Sequence, residues 1–144
     1  MWRSKLQTEV VKALKAGDSE RVEVVRYLIS LIDKKALTVE VGKMTEADEM
    51  GVLWKEMKNK QEAREMFAKA GRQELADKSD REIKILAEFL PKEAAEEEIE
   101  TLVRKVVGEN AGANFGMVMG KVTKELAGRA DGQRIVMVVK KVLG

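Results

Sequence analysis

The 144 residues carry 36% charged side chains, 4% aromatics, one proline and a net charge of +2. That length allows one domain or two small ones, the composition suits long solvated helices rather than an all-β fold, and the charge is too small to name a partner. Cysteine and histidine are both absent, so disulfide frameworks, thiolate nucleophiles, imidazole bases and zinc-finger sites are excluded together.

The N-terminus leads straight into a charged amphipathic stretch, with Ser4 as a possible cap and Leu6, Val10, Ala13 and Leu14 on one face, ending at Gly17. Asp18 caps a second helix whose apolar residues, from Val22 to Ile32, wrap most of the way round, as in a helix central to its bundle. Arg26 interrupts that surface, either as a snorkelling or salt-bridged side chain or as a ligand contact. Residues 39–44 read as a loop. Thr45 and Asp48 then form a capping-box pattern, opening a helix that can run to Ala70 and stop at Gly71. Leu53, Trp54, Met57, Met66 and Phe67 should bury its two ends, while residues 58–62 are polar on every side and should project beyond the core. Lys55, Lys58, Lys69 and Arg72 share a face with Glu62 and Glu65 between them, the pattern of an ion-pair ladder.

Residues 73–89 predict a fourth helix, antiparallel to the third, with Leu75, Ile83, Leu86 and Leu90 inward. Pro91 cannot continue it, and the domain boundary falls there. Beyond it, acids concentrate at a helix start in residues 92–98, where the macrodipole favours them. Ile99, Leu102, Val103, Val106 and Val107 give a clean stripe, and residues 108–113 a turn region. Phe115, Val118, Met119, Val122 and Leu126 mark the next helix, and Ile135, Val138, Val139 and Val142 the last. Gly128 is a left-handed stop for the first of these and Asp131 an N-cap for the second, so the chain closes in a helical hairpin. The expected fold is all-α: an N-terminal helical bundle with long helices in residues 1–91 and a small three-helix bundle in 92–144.

Residues 101–144 hold eight Lys/Arg against Glu109, Glu125 and Asp131, a modest basic footprint. Lys121 and Lys124 lie one turn apart on the first hairpin helix, Arg129 sits in the corner, Arg134 begins the next helix, and Lys140 and Lys141 follow. A helix N-terminus beside Arg129 and Arg134 suits a phosphate; the alternative is that Gly128 and Asp131 only stop and start helices while the cations are solvated. With so few aromatics, nucleic acid would be met by shape and phosphate rather than by base stacking. Gly116 and Gly120, four apart, read as close helix packing.

No complete active site is legible. The serines at 4, 19, 30 and 79 lie outside any nucleophile-elbow context, and no phosphate-cradling glycine loop follows a strand. The acids at 96–98 have no apolar neighbours to raise a pKa and read as a solvated face. No cofactor or metal site is read, and no activity of the chain's own is expected. No secretory segment or run of roughly 18 apolar residues is present, so a soluble, cytoplasmic protein without membrane contact is expected.

Several motifs together resemble the GatB/YqeY family. They are Leu90-Pro91, the acidic helix start, Gly120-Lys121, and Leu126-Ala127-Gly128-Arg129-Ala130-Asp131-Gly132 followed by Ile135-Val136 and Val139-Lys140. Upstream, Lys55-Glu56-Met57-Lys58 and Lys69-Ala70-Gly71-Arg72 are similar to its stand-alone YqeY-like branch, so the likeness covers essentially the whole chain. It implies an all-α fold in two parts and kinship with the tail of the B subunit of the glutamine-dependent aminoacyl-tRNA amidotransferase, a tail implicated in tRNA binding. It also implies kinship with tails appended to a glutaminyl-tRNA synthetase. The chain departs from the family pattern at Phe89, where Tyr is frequent, at Ala95, where a capping Ser is frequent, and at Asp131-Gly132, where the amidotransferase tail has Asn-Pro. The function so implied is an accessory tRNA-binding protein linked to a carbon–nitrogen ligase that uses glutamine as amido donor. Its partners would be tRNA and amidotransferase or aminoacyl-tRNA synthetase components. The alternative is a helical protein-interaction adaptor with no nucleic-acid role.

Overall fold

Seven α-helices and no strand make up the computed structural model, which describes residues 1–144: α1 (Trp2–Ala16), α2 (Ser19–Ala36), α3 (Glu46–Lys69), α4 (Gln73–Ala87), α5 (Glu96–Glu109), α6 (Phe115–Leu126) and α7 (Gly132–Leu143). They pack as two compact units, Met1–Leu90 and Pro91–Gly144.

In the first unit α2 touches α1, α3 and α4, the central place its near-continuous apolar surface demands. Val24, Val25, Leu28 and Ile32 of α2 meet Leu6 of α1, Leu53 and Met57 of α3, and Leu86 with Phe89 at the end of α4. Local chemistry fixes several ends. Gly17 takes the left-handed conformation at the α1 stop, and the Asp18 carboxylate accepts the Arg21 amide at the start of α2. The Thr45–Asp48 capping box closes in both directions. Ser4 does not cap α1, because the helix begins two residues earlier. The Arg3 amide donates instead to Glu49 Oε2 at 2.9 Å. Glu49 is 1% exposed, and it satisfies an orphan amide of α1 from another helix.

The α3–α4 hairpin runs past this core, since no residue from Lys58 to Glu82 belongs to its apolar cluster. Charge pairs hold the two helices there: Lys60 with Glu82 and Arg64 with Asp80, while Glu56, on the same helix as Lys60, flanks it from one turn away. Two expectations are corrected at this point. Met66 is 70% exposed and Leu75 is exposed too, because beyond Ala76 and Ser79 there is no third helix to cover them. The turn at residues 58–62 lies beyond the apolar cluster as its polar surface demands, but Lys60 within it is drawn in between Glu56 and Glu82. The ladder through Lys55, Lys58, Lys69 and Arg72 does not form: these cations and Glu62 and Glu65 are all exposed and unpaired, and the ion pairs of the hairpin run through Lys60 and Arg64 instead. Leu14, expected inward on α1, is also exposed, and Arg26 lines a shallow groove with Leu14 and Val22 without an ion-pair partner.

The second unit is a three-helix bundle in which each helix touches the other two. Ile99, Val103 and Val106 of α5, Val118, Val122 and Leu126 of α6, and Ile135, Val138 and Val139 of α7 are buried together with Ala94. Gly116 and Gly120 take no part in packing. A methyl group at Gly120 would meet nothing within 4 Å, and one at Gly116 only the Asn114 side chain, so the close-packing reading of that pair is overturned. α5 starts at Glu96, later than its acids suggest, and its N-cap Ala95 supplies no side-chain acceptor. Ala95→Ser should therefore stabilise this unit by about 1 kcal/mol, seen as a higher urea midpoint at unchanged m-value. An unchanged midpoint would mean that the free amides of α5 are satisfied by other means.

Candidate nucleic-acid interface

The corner between α6 and α7 is built by backbone. α6 ends at Ala127, a non-glycine residue in the left-handed region (φ 48), and Gly128 follows at φ 81, so the stop begins one residue before the glycine. The Arg129 amide closes the turn on Leu126 O at 3.0 Å. Asp131 Oδ1 accepts the Arg134 amide at 2.8 Å, the cap expected for α7.

Against this corner lies the stretch that precedes α5. Ala94 N donates to Arg129 O at 2.7 Å, and Ala94 is buried in the core. Arg129 reaches back with its whole guanidinium: Nε to Lys92 O at 3.0 Å, Nη1 to Glu98 Oε1 at 2.6 Å and Nη2 to Glu98 Oε2 at 2.9 Å. Arg134 does the same, with Nη1 on Glu93 Oε1 at 3.0 Å and Nη2 on Ala94 O at 2.8 Å. The two-pronged Arg129–Glu98 pair fixes geometry as well as charge, whereas Arg134 divides its bonds between one carboxylate oxygen and a backbone carbonyl. Both arginines thus tie the chain entering α5 to the corner, and their charge is matched where they stand.

The six cations singled out from the sequence therefore do not share one set of partners. Arg129 and Arg134 meet at the corner on Glu98 and Glu93. Lys121 leans towards the turn between α5 and α6, donating to Asn110 Oδ1 at 2.7 Å, while Asn110 in turn donates to Val106 O. Lys141 pairs with Glu100. Lys124 and Lys140 are exposed on α6 and α7 and make no ion pair. Sequence reasoning missed Glu93, Glu98 and Asn110 as partners. The only signal was the excess of acids just before α5, opposite in sign to the hairpin.

A family model of the Yqey-like proteins matches residues 3–143, and the residues it spans include both units. The chain belongs to the Yqey-like protein family. No curated protein matches it. No helix of this family member is long and apolar enough to cross a membrane.

The Arg129 hydrogen bonds hold the Glu98 carboxyl below the ordinary glutamate range, with desolvation opposing and the Arg129 charge reinforcing them. A carboxyl whose folded-state pKa is depressed stabilises the fold above its unfolded value and loses that contribution as pH falls through the folded one. The second unit should accordingly lose stability on acidification below about pH 4.3. Glu98→Gln, which lacks the charge at every pH, should lie below the parent at neutral pH and approach it in acid. Parallel pH profiles for parent and variant would show that the Arg129 pair contributes nothing.

Proposed function

We propose that the protein is an accessory tRNA-binding module linked to glutamine-dependent transamidation. It would present tRNA to a carbon–nitrogen ligase assembled from other chains. Membership of the Yqey-like family supports this reading. So does the resemblance of Leu126-Ala127-Gly128-Arg129 and its surroundings to the amidotransferase tail. The observation that carries it is the pair Lys124 and Lys140, exposed and without carboxylate partners in a stretch that holds eight Lys/Arg against three acids. In this reading the lysines meet phosphates while Arg129 and Arg134 shape the corner between them. Phosphate contact by lysine is sequence-tolerant and gives binding a steep salt dependence. The chain has no cysteine or histidine, so glutamine hydrolysis would rest on partner subunits such as amidotransferase or synthetase components. The test is binding of a total tRNA pool and of duplex DNA of equal mass across a salt series. Preference for tRNA with a negative slope of log affinity against log salt supports the proposal, and equal or absent binding of both defeats it.

The adaptor reading has one specific observation in its favour. Met66 and Leu75 are exposed where the α3–α4 hairpin runs past its core. A protein partner would cover them, and failure of tRNA binding would bring this reading forward.

A further inference from the structure

A second basic site lies in the first unit, in the groove between α2 and α3. One wall carries Tyr27, Lys34 and Lys35, and the other carries Gly51, Lys55 and Asn59. Its volume is about 510 Å³, within the range of roughly 300–1,000 Å³ typical of small-ligand sites.

Four features of the groove point to one class of ligand. Lys34, Lys35 and Lys55 are exposed, and none of them is in an ion pair. The two carboxylates that line the groove are already committed elsewhere. Asp48 accepts the Thr45 amide in the capping box, and the nearly buried Glu56 is held by Lys60. Lys35 does lie close enough to Asp48 to favour its ionised form, but not within ion-pair distance. Tyr27 is 48% exposed, in a chain with only six aromatic residues. Lys60 Nζ sits 5.6 Å from its ring centroid and is itself fixed by Glu56 and Glu82, which steadies the ring from one side. Gly51, finally, stands in the body of α3, where glycine is a poor helix former. A methyl group there would touch nothing within 4 Å, so packing does not require the glycine, and its effect is to leave the groove open.

We propose that the α2–α3 groove binds a nucleotide unit, with its phosphate among Lys34, Lys35 and Lys55 and its base stacked on Tyr27. The Asn59 side chain, which makes no hydrogen bond within the protein, offers a donor and an acceptor to the base edge. Cations that recognise phosphate beside an aromatic face that recognises any base are the two elements of single-strand and nucleotide sites. The groove belongs to the first unit and leaves Lys124 and Lys140 untouched, so it stands or falls apart from the tRNA reading.

The full chain, labelled with nitrogen-15, is titrated with adenosine monophosphate, with a ten-residue single strand of uridylate and with inorganic phosphate. Amide shifts centred on Tyr27, Lys34, Gly51, Lys55 and Asn59 are expected with the first two probes, and weaker shifts confined to Lys34, Lys35 and Lys55 with inorganic phosphate. Saturation by the mononucleotide marks a free nucleotide as the ligand; saturation by the decamer alone marks a nucleotide within an RNA chain. Gly51→Leu should fold at least as well as the parent and abolish the shifts by filling the groove. Tyr27→Leu should weaken nucleotide binding roughly 5- to 150-fold, the value of one stacked base, and leave inorganic phosphate unaffected. Lys55→Glu, at an exposed position, should weaken all three probes. Absence of shifts at these residues overturns the proposal. So does parent-like binding by Gly51→Leu, and so does indifference of the nucleotide to Tyr27→Leu.

Discussion

Ile99→Ala is expected to unfold the second unit and leave the first intact. Ile99 is fully buried among Val103, Val122 and Val139, and truncating such a side chain costs about 2–5 kcal/mol from lost transfer energy and the cavity left behind. A unit spanning Pro91–Gly144 has a total stability of only a few kcal/mol at roughly 0.05–0.15 kcal/mol per residue. The loss is thus comparable to the whole. The two tryptophans, Trp2 and Trp54, both lie in the first unit, so their fluorescence reports on that unit alone. Circular dichroism sees both units, and α5, α6 and α7 together hold about a third of the helical residues. The variant should lose about a third of its helical signal at a temperature where tryptophan emission is unchanged. A fluorescence transition that moves with the helical one would mean that the chain unfolds as one cooperative body.

The second large effect concerns charge. Lys124→Glu combined with Lys140→Glu should lower affinity for tRNA on the order of tenfold at moderate salt and flatten the salt dependence. Both side chains are exposed and unpaired, so the fold should be unaffected. Arg129→Ala is different in kind. It strips Glu98 and Lys92 O of their partner and loosens the corner, so whatever it does to binding should appear together with lost stability. Comparing the two variants separates phosphate contact from architecture.

What the sequence made legible was local. Asp18, Thr45 with Asp48, and Asp131 cap the helices they precede because capping is a contact between residues three apart. The apolar stripes of α5, α6 and α7 are buried as their spacing demands, except for Phe115 at the start of α6, which is exposed. Illegible were contacts made across long sequence separations. Arg129 and Glu98 are 31 positions apart and Arg134 and Glu93 are 41 apart, and nothing in either segment names its partner. Glu49 is hidden for the same reason. A charged residue in the first turn of α3 reads as a dipole partner, yet its oxygen serves the amide of Arg3, 46 positions away. Met66 and Leu75 show the converse, because apolar residues at helical spacing are buried only where another element arrives to cover them. Within the site, residue types that suit phosphate were readable, but which cations are free depends on where the acids fold.

The most direct measurement is the salt dependence of tRNA binding by the parent and by the Lys124→Glu, Lys140→Glu variant. The log–log slope of the variant should be smaller in magnitude by roughly 1.4 to 1.8, two phosphate contacts at about 0.7 to 0.9 each. Identical slopes and affinities for the two proteins would contradict the proposal that α6 and α7 carry the tRNA-binding surface.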